Sequence, residues 1–242
     1  MKTLFVGDIH GKIEIMEFVE KTFPDHLKVF VGDLVDAFDR TRKQQLDCVE
    51  KALAMIQRGD TKVLLGNHEL SYLIPHMRCS GYAGTMDGMM LPFKKDIWKH
   101  FDYYLWYPEN KLLVTHAGLG LYIWNEKHLT LDTLGIILAQ WKLDGFYTGV
   151  NGWIGKARGG VDRIGGIFWC DYFKEFAPIP GLTQVFGHTN IPKQLPPGIV
   201  IDGTNYNIDC LVRKVEFLEY DDGKFQVING TENGGVAPMV ER

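Results

Sequence analysis

The chain has 242 residues and a formal net charge of −4, with 45% hydrophobic and 23% charged residues. These are ordinary globular proportions, and they argue against extensive disorder. The slight acidity argues against a general nucleic-acid binder with a basic face, yet leaves room for a small phosphorylated substrate held by local charge.

The first 70 residues alternate strand and helix. Thr3–Val6 reads as a strand ending in Gly-Asp, and Lys12–Phe23 as a helix with Ile15, Met16 and Val19 in helical recurrence before Pro24. Leu27–Val31 is a second strand ending in Gly-Asp. Thr41 to Gln57 is a helix with Leu46, Val49, Leu53 and Ile56 on one face, and Thr61–Leu65 a third strand ending in Gly-Asn. Strand–helix–strand–helix–strand implies parallel pairing with right-handed crossovers.

The middle is less regular. Ser80–Met90, with three glycines, reads as a loop, and Phe93–Tyr104 as a helix. Lys111–Thr115 is a strand running into His116-Ala117-Gly118, Leu129–Trp141 a helix, and 151–166 glycine-rich and irregular. Later strands are expected at Gly166–Trp169, Thr183–Phe186 and Gly198–Ile201. Val212–Tyr220 and Lys224–Ile228 flank the turn Asp221-Asp222-Gly223. The tail 231–242 is polar and glycine-rich and is expected to be loose. With no repeat or linker, residues 1–242 read as one domain.

Cys48, Cys79, Cys170 and Cys210 form no C-x-x-C pair, so they read as reduced thiols of a cytoplasmic protein. The first apolar run is too short for a secretory leader, and Leu112 to Trp124 falls short of a membrane span. No membrane partner is expected.

The chemistry gathers at strand ends. Gly7-Asp8-Ile9-His10-Gly11, Gly32-Asp33-Leu34-Val35-Asp36 and Gly66-Asn67-His68-Glu69 each follow a strand, and two further strands stop at His116 and His188. Ligands of α/β sheets bind beyond the carboxyl ends of strands. Carboxylate, amide and imidazole donors without thiolate suit manganese, iron or zinc. Each motif alone reads more readily as a turn, a cap or a packed histidine; five in this order point to one site. His26, His76, His100 and His128 fall outside the motifs and read as surface or packing residues.

The set GDIHG (7–11), GDLVD (32–36), GNHE (66–69), THAG (115–118) and GHT (187–189), with Arg158 in ARGG and Phe168-Trp169-Cys170-Asp171, resembles the calcineurin-like metallophosphoesterases. It is most similar to their phosphoprotein phosphatase branch, including small bacterial and phage Ser/Thr protein phosphatases and symmetrical dinucleoside-polyphosphate hydrolases. The resemblance implies an α/β fold, a central β-sandwich of mixed sheets flanked by helices, with two divalent metal ions at its rim. It implies manganese first, with iron or zinc as alternatives. Carried over by motif, Asp8, His10 and Asp33 hold one ion. Asp33 bridges to a second, held also by Asn67, His116 and His188. His68, paired with Asp36, is the acid or phosphate-contacting group. The reaction implied is hydrolysis of a phosphomonoester by metal-activated hydroxide, which needs no protein nucleophile.

One departure stands out. Where the family carries an arginine that grips phosphate, this chain has Ala37. Arg158 is the first remaining candidate for a phosphate clamp, with Arg40 and Arg163 behind it; both also read as surface residues. The partner implied is a phosphorylated protein or nucleotide, without a stable nucleic-acid complex. The alternatives are a symmetrical dinucleoside-polyphosphate hydrolase, a phosphodiesterase or nuclease of the wider superfamily, and a metal-free scaffold, and oligomeric state is not legible.

Overall fold

Strands form where β-branched and aromatic residues run for three to six positions, and helices where apolar residues recur every three or four. The computed structural model describes residues 2–146 and 149–230. Its elements are β1 (Thr3–Val6), α1 (Ile13–Thr22), β2 (Leu27–Phe30), α2 (Arg42–Gln57), β3 (Thr61–Val63), α3 (Asn67–Leu73), α4 (Gly84–Met90) and α5 (Lys94–His100). There follow β4 (Leu105–Tyr107), β5 (Leu112–Val114), α6 (Leu121–Glu126), α7 (Leu134–Asp144), β6 (Thr183–Phe186), β7 (Val200–Asp202), β8 (Asn205–Asn207), β9 (Glu216–Asp221) and β10 (Lys224–Asn229). The tail 231–242, expected to be loose, lies outside the described residues. Among the described residues no helix is long and apolar enough to cross a membrane.

The strands form two five-stranded mixed sheets, ordered β10-β9-β1-β2-β3 and β4-β5-β6-β8-β7. In the first, β1, β2 and β3 are parallel, and β9 and β10 add antiparallel at the β1 edge. In the second, β5, β6 and β8 are parallel, with β4 and β7 antiparallel at the edges. Side chains alternate across the sheets. Phe5, Val29 and Leu218 of one sheet pack with Val114, Val185 and Ile208 from the other. Leu4, Val6 and Phe30 share the outer cluster with Met16, Val19 and Val49 of α1 and α2. This is the expected architecture, two mixed sheets flanked by helices.

Four local expectations are corrected. Residues 84–90 are helical because Met86 and Met90, one helical turn apart, are both buried and anchor α4 despite its two glycines. Gly166–Trp169 is a turn, since the Trp169 and Cys170 amides donate back to the Gly166 carbonyl. The helices of the middle are also displaced: Phe93–Tyr104 shrinks to α5, and the helix expected at Leu129–Trp141 begins only at Leu134.

Candidate metal centre and active-site cleft

All the parallel strands of both sheets deliver polar residues to one rim. Asp8 and His10 follow β1, Asp33 and Asp36 follow β2, Asn67 and His68 follow β3, His116 follows β5 and His188 follows β6. The turns are zipped together: the Ile9 and His10 amides donate to the Asp33 carbonyl at 3.1 and 2.8 Å, and the Gly11 amide donates to the Leu34 carbonyl. His10, Asp33, Asp36 and His188 all hold positive φ, between 43° and 67°. For residues with a Cβ that conformation is uncommon and costs free energy, and it recurs at ligand sites. Two glycines are needed for close approach. A Cβ on Gly66 would lie 2.1 Å from Asp33 Oδ1, and one on Gly187 would lie 2.0 Å from Asp8 Oδ1.

Asp33 stands between two groups of donors. His10 and His68 face it on one side, His116 and His188 on the other. Its Oδ2 is 3.9 Å from His10 Nε2 and 3.4 Å from His116 Nε2. His116 donates through Nδ1 to the Val31 carbonyl at 2.8 Å, and His10 through Nδ1 to the Val35 carbonyl at 2.8 Å. Both rings therefore turn a bare Nε2 lone pair toward Asp33 when neutral. Asn67 Oδ1 lies 2.9 Å from His116 Nε2 and 2.8 Å from His188 Nδ1, and those two nitrogens are 3.1 Å apart. His188 Nε2 is buried with no partner, which fits a ring whose proton sits there and whose Nδ1 lone pair faces the cluster. Four acceptor atoms converging without a donor are what a bound cation satisfies.

The charge balance points the same way. Asp8, Asp33 and Asp209 are all at most 2% exposed. Burial, with the Asp209 and Asp33 charges beside it, pushes the Asp8 carboxyl well up. Burial likewise lifts Asp209 to about 6, with Asp33 adding to the rise. Burial opposes ionisation of Asp33 too, but the facing His116, His68 and His10 rings outweigh it and hold that carboxyl well below its ordinary range. Three carboxylates crowded in a buried rim are expensive unless a cation joins them. The residues present therefore fit divalent metal ions, with Asp33 common to both groups.

Beside this centre runs a relay. His68 Nδ1 is 2.9 Å from Asp36 Oδ2, the Tyr72 hydroxyl donates to Asp36 Oδ1, and the His68 amide donates to Asp33 Oδ1 at 3.0 Å. The His68 ring thus points Nε2 toward Asp33, 3.8 Å from Oδ2. Asp33 and the bond to Asp36 overcome burial and raise the His68 imidazolium well above its usual value.

A cleft of about 470 Å³ opens over the centre, lined by His10, Asn67, His68, Arg158 and His188 among others. Arg158 donates through Nη2 to Thr189 Oγ1 at 2.9 Å, and its Nε lies 3.2 Å from Asp171 Oδ2. The other two arginines stand elsewhere. Arg40 pairs with Glu14 at 2.5 Å and lines a neighbouring cavity under α4, and Arg163 is exposed with its guanidinium over the Tyr122 ring. Next to Ala37 a second pocket of about 330 Å³ reaches His10, Lys12 and His68, and Phe38 stands 90% exposed on its lining.

Three residues escape the motif reading. Glu69 is fully buried and accepts from the Asp33, Leu34 and Gly66 amides at 2.9, 2.7 and 2.9 Å, tying two strand-end turns together. Gln45 accepts from the Asp36 amide and donates to the Ala37 and Arg40 carbonyls, setting the loop that carries Asp36. Asp209 follows β8 on a sixth strand end. Its signal, an aspartate after Asn205–Asn207, is obscured because that strand is short and polar.

Comparison with known proteins agrees with this geometry. Residues 1–192 match the family model described as calcineurin-like phosphoesterase. A cold-active protein-tyrosine phosphatase from a psychrophilic Shewanella species is similar in structure, at a TM-score of 0.57 and 15% identity, over 93% of this chain and 80% of that one. A protein serine/threonine phosphatase from Saccharomyces cerevisiae aligns at a TM-score of 0.52 and 16% identity, over 94% of this chain and 79% of that one. At such identities the likeness is one of fold. No curated protein matches the sequence.

Proposed function

The chain belongs to the calcineurin-like phosphoesterase family and is a metal-dependent phosphoesterase, and we propose that it is a cytoplasmic phosphomonoesterase acting on phosphoserine or phosphothreonine in protein, or on a small phosphorylated molecule. The observation that carries the reading is the shared carboxylate of Asp33, flanked by His10 on one side and by Asn67, His116 and His188 on the other, with His68 at its edge. Asp8, His10 and Asp33 would hold one divalent ion; Asp33, Asn67, His116 and His188 would hold a second, with manganese as the proposed metal. When bound, such ions supply the charge that grips a phosphate and acidifies a water for in-line attack.

The chain's own groups do the rest. His68 presents a proton on Nε2 to the leaving alkoxide, while Asp36 accepts from Nδ1–H, fixes the tautomer and stabilises the imidazolium. Arg158 on the cleft wall offers a fork of N–H donors to phosphate oxygens in place of the arginine absent at position 37. Asp8 accepts from the His188 amide through its carboxylate oxygens, which ties the strand ends that carry the two residues together.

The open pocket beside Ala37 favours a second reading, a dinucleoside polyphosphate or a phosphodiester whose second half fills it. Purified protein stripped of metal, restored with manganese, iron or zinc, and assayed on a phosphopeptide, a dinucleoside tetraphosphate and a phosphodiester separates the two. The proposal expects chelation to abolish turnover, manganese to restore it best, and the phosphopeptide to be preferred. Full activity without metal overturns the metal reading, and preference for the dinucleotide or diester selects the second one.

A further inference from the structure

A thiol that the proposed chemistry does not use stands beside the relay. Cys79 Sγ is 3.5 Å from His68 Nδ1 and 2.9 Å from Ser71 Oγ. One ligand atom from each of Asp36, His68 and Cys79 lies within 4.8 Å of the other two. The sulfur is held in place, since the Cys79 amide donates to Ser71 Oγ at 3.1 Å and that hydroxyl has the Asn67 and Met77 carbonyls, at 3.1 and 3.2 Å, as acceptors for its one proton. Cys79 is partly exposed and lines the cleft, whereas Cys48, Cys170 and Cys210 are buried.

Hydrogen bonding holds the thiol only loosely, its S–H having the Asn67 carbonyl 3.9 Å away as acceptor. His68 Nδ1 carries at most one proton, yet it faces Asp36 Oδ2 at 2.9 Å and Cys79 Sγ at 3.5 Å. As a coordination shell the triad fits. With metal–sulfur and metal–nitrogen bonds of about 2.3 and 2.0 Å, a tetrahedral S···N edge is roughly 3.5 Å. Thiolate, imidazole and carboxylate together select a zinc-like ion over manganese, which suits oxygen donors.

We propose that Asp36, His68 and Cys79 form an inhibitory site for zinc or another thiophilic divalent cation, which borrows His68 from one of the two groups around Asp33 and uses none of the proposed catalytic ligands. This rests on the reading of His68 as proton donor. On binding, Cys79 gives its S–H proton to solvent and its sulfur lone pair to the cation. His68 likewise gives its Nδ1 proton to solvent and bonds the cation there, and Asp36 turns its Oδ2 from the imidazole to the cation. The ring then carries one proton, on Nε2, and releasing it would leave an imidazolate. His68 is then a far weaker acid than the imidazolium, so protonation of a leaving alkoxide slows and turnover falls although the catalytic ions remain in place.

The test uses manganese-loaded, full-length protein. Cobalt(II) is titrated into the parent and Cys79→Ser, and the thiolate-to-cobalt charge-transfer band is followed. Zinc inhibition of phosphomonoester hydrolysis is then measured for each, normalised to its own zinc-free rate. The expected result is a band in the parent that is absent from Cys79→Ser, with half-inhibition by zinc shifted to at least about tenfold higher concentration in the variant. Should Cys79→Ser fail to fold, alkylation of the partly exposed thiol in the native parent must remove the band. A folded parent without the band, or equal zinc inhibition of both proteins, overturns the site. A band with undiminished turnover overturns its inhibitory role and places the failure in the reading of His68.

Discussion

His68 shows how one side chain is set by its neighbours. The Asp36 carboxylate receives the Tyr72 hydroxyl on one oxygen and His68 Nδ1 on the other, so the ring is oriented from behind. Replacing it by His68→Asn should lower kcat by about 10²–10⁴-fold, the usual weight of a general acid, with metal content unchanged. The loss should shrink for esters with good leaving groups, which depart without a proton. Steady-state kinetics and metal analysis decide it; an emptied metal site would make His68 a ligand instead. At Arg158 the expected change is in KM. A charge-assisted contact to phosphate is worth about 1.5–3 kcal/mol, so Arg158→Ala should raise KM roughly 10- to 150-fold, with kcat little altered. Unchanged KM on every phosphoester would remove Arg158 from the substrate's path. The place of both residues on the cleft was legible in the sequence because each sits inside a motif. Arg40 and Arg163 carried no such signal, and their partners, Glu14 and the Tyr122 ring, are distant in sequence.

At the scale of elements, the strand-end turns are held by a residue that coordinates nothing. Glu69 lies in the first turn of α3 and reaches back to three backbone amides, two of them in the turn after β2. Burial, with the Asp33 charge, pushes its carboxyl up to about 7, and the Leu34 and Gly66 amides work against that rise. Glu69→Ala would strand three buried N–H groups at 1–3 kcal/mol each, so a loss of about 3 kcal/mol or more is expected in denaturant unfolding. Glu69→Gln, which keeps one acceptor oxygen, should lose less. Equal stability of Glu69→Ala and the parent would show that water replaces the carboxylate. The GNHE motif contains Glu69, but its role was not readable there, because its partners lie 35 and 36 positions away. Strand ends marked by Gly-Asp, Gly-Asn or a lone histidine were legible, since the turn chemistry is local. Helix α4 was not, because its glycines outweighed the Met86 and Met90 spacing that buries it.

Across the whole molecule, the parallel order β1-β2-β3 followed from the alternation of strand and helix, but the return of β9 to β1 did not, being a pairing of residues more than 200 positions apart. Glu219 on β9 secures that return. It accepts from His26 Nε2 at 2.7 Å and from Lys2 Nζ at 3.1 Å, at the starts of β2 and β1, with 11% of its side chain exposed. The His26 hydrogen bond, outweighing burial and aided by Lys2, holds the Glu219 carboxyl below its ordinary range. A carboxyl depressed in the folded state stabilises the fold fully above its unfolded value, about 4.3, and ceases to do so as pH falls through the depressed folded value. Glu219→Gln keeps the shape and removes the charge. Its Tm should lie below the parent's near neutrality, and the gap should close as pH falls through the depressed folded value, where the parent's carboxyl also becomes neutral. The metal-centre carboxylates are common to both proteins, so their own titration cancels in the difference. Thermal melts of the two metal-stripped proteins from neutral pH into acid provide the measurement. A gap that persists undiminished into acid would mean that the substitution acts through packing, and that the clasp between the first and ninth strands is not electrostatic.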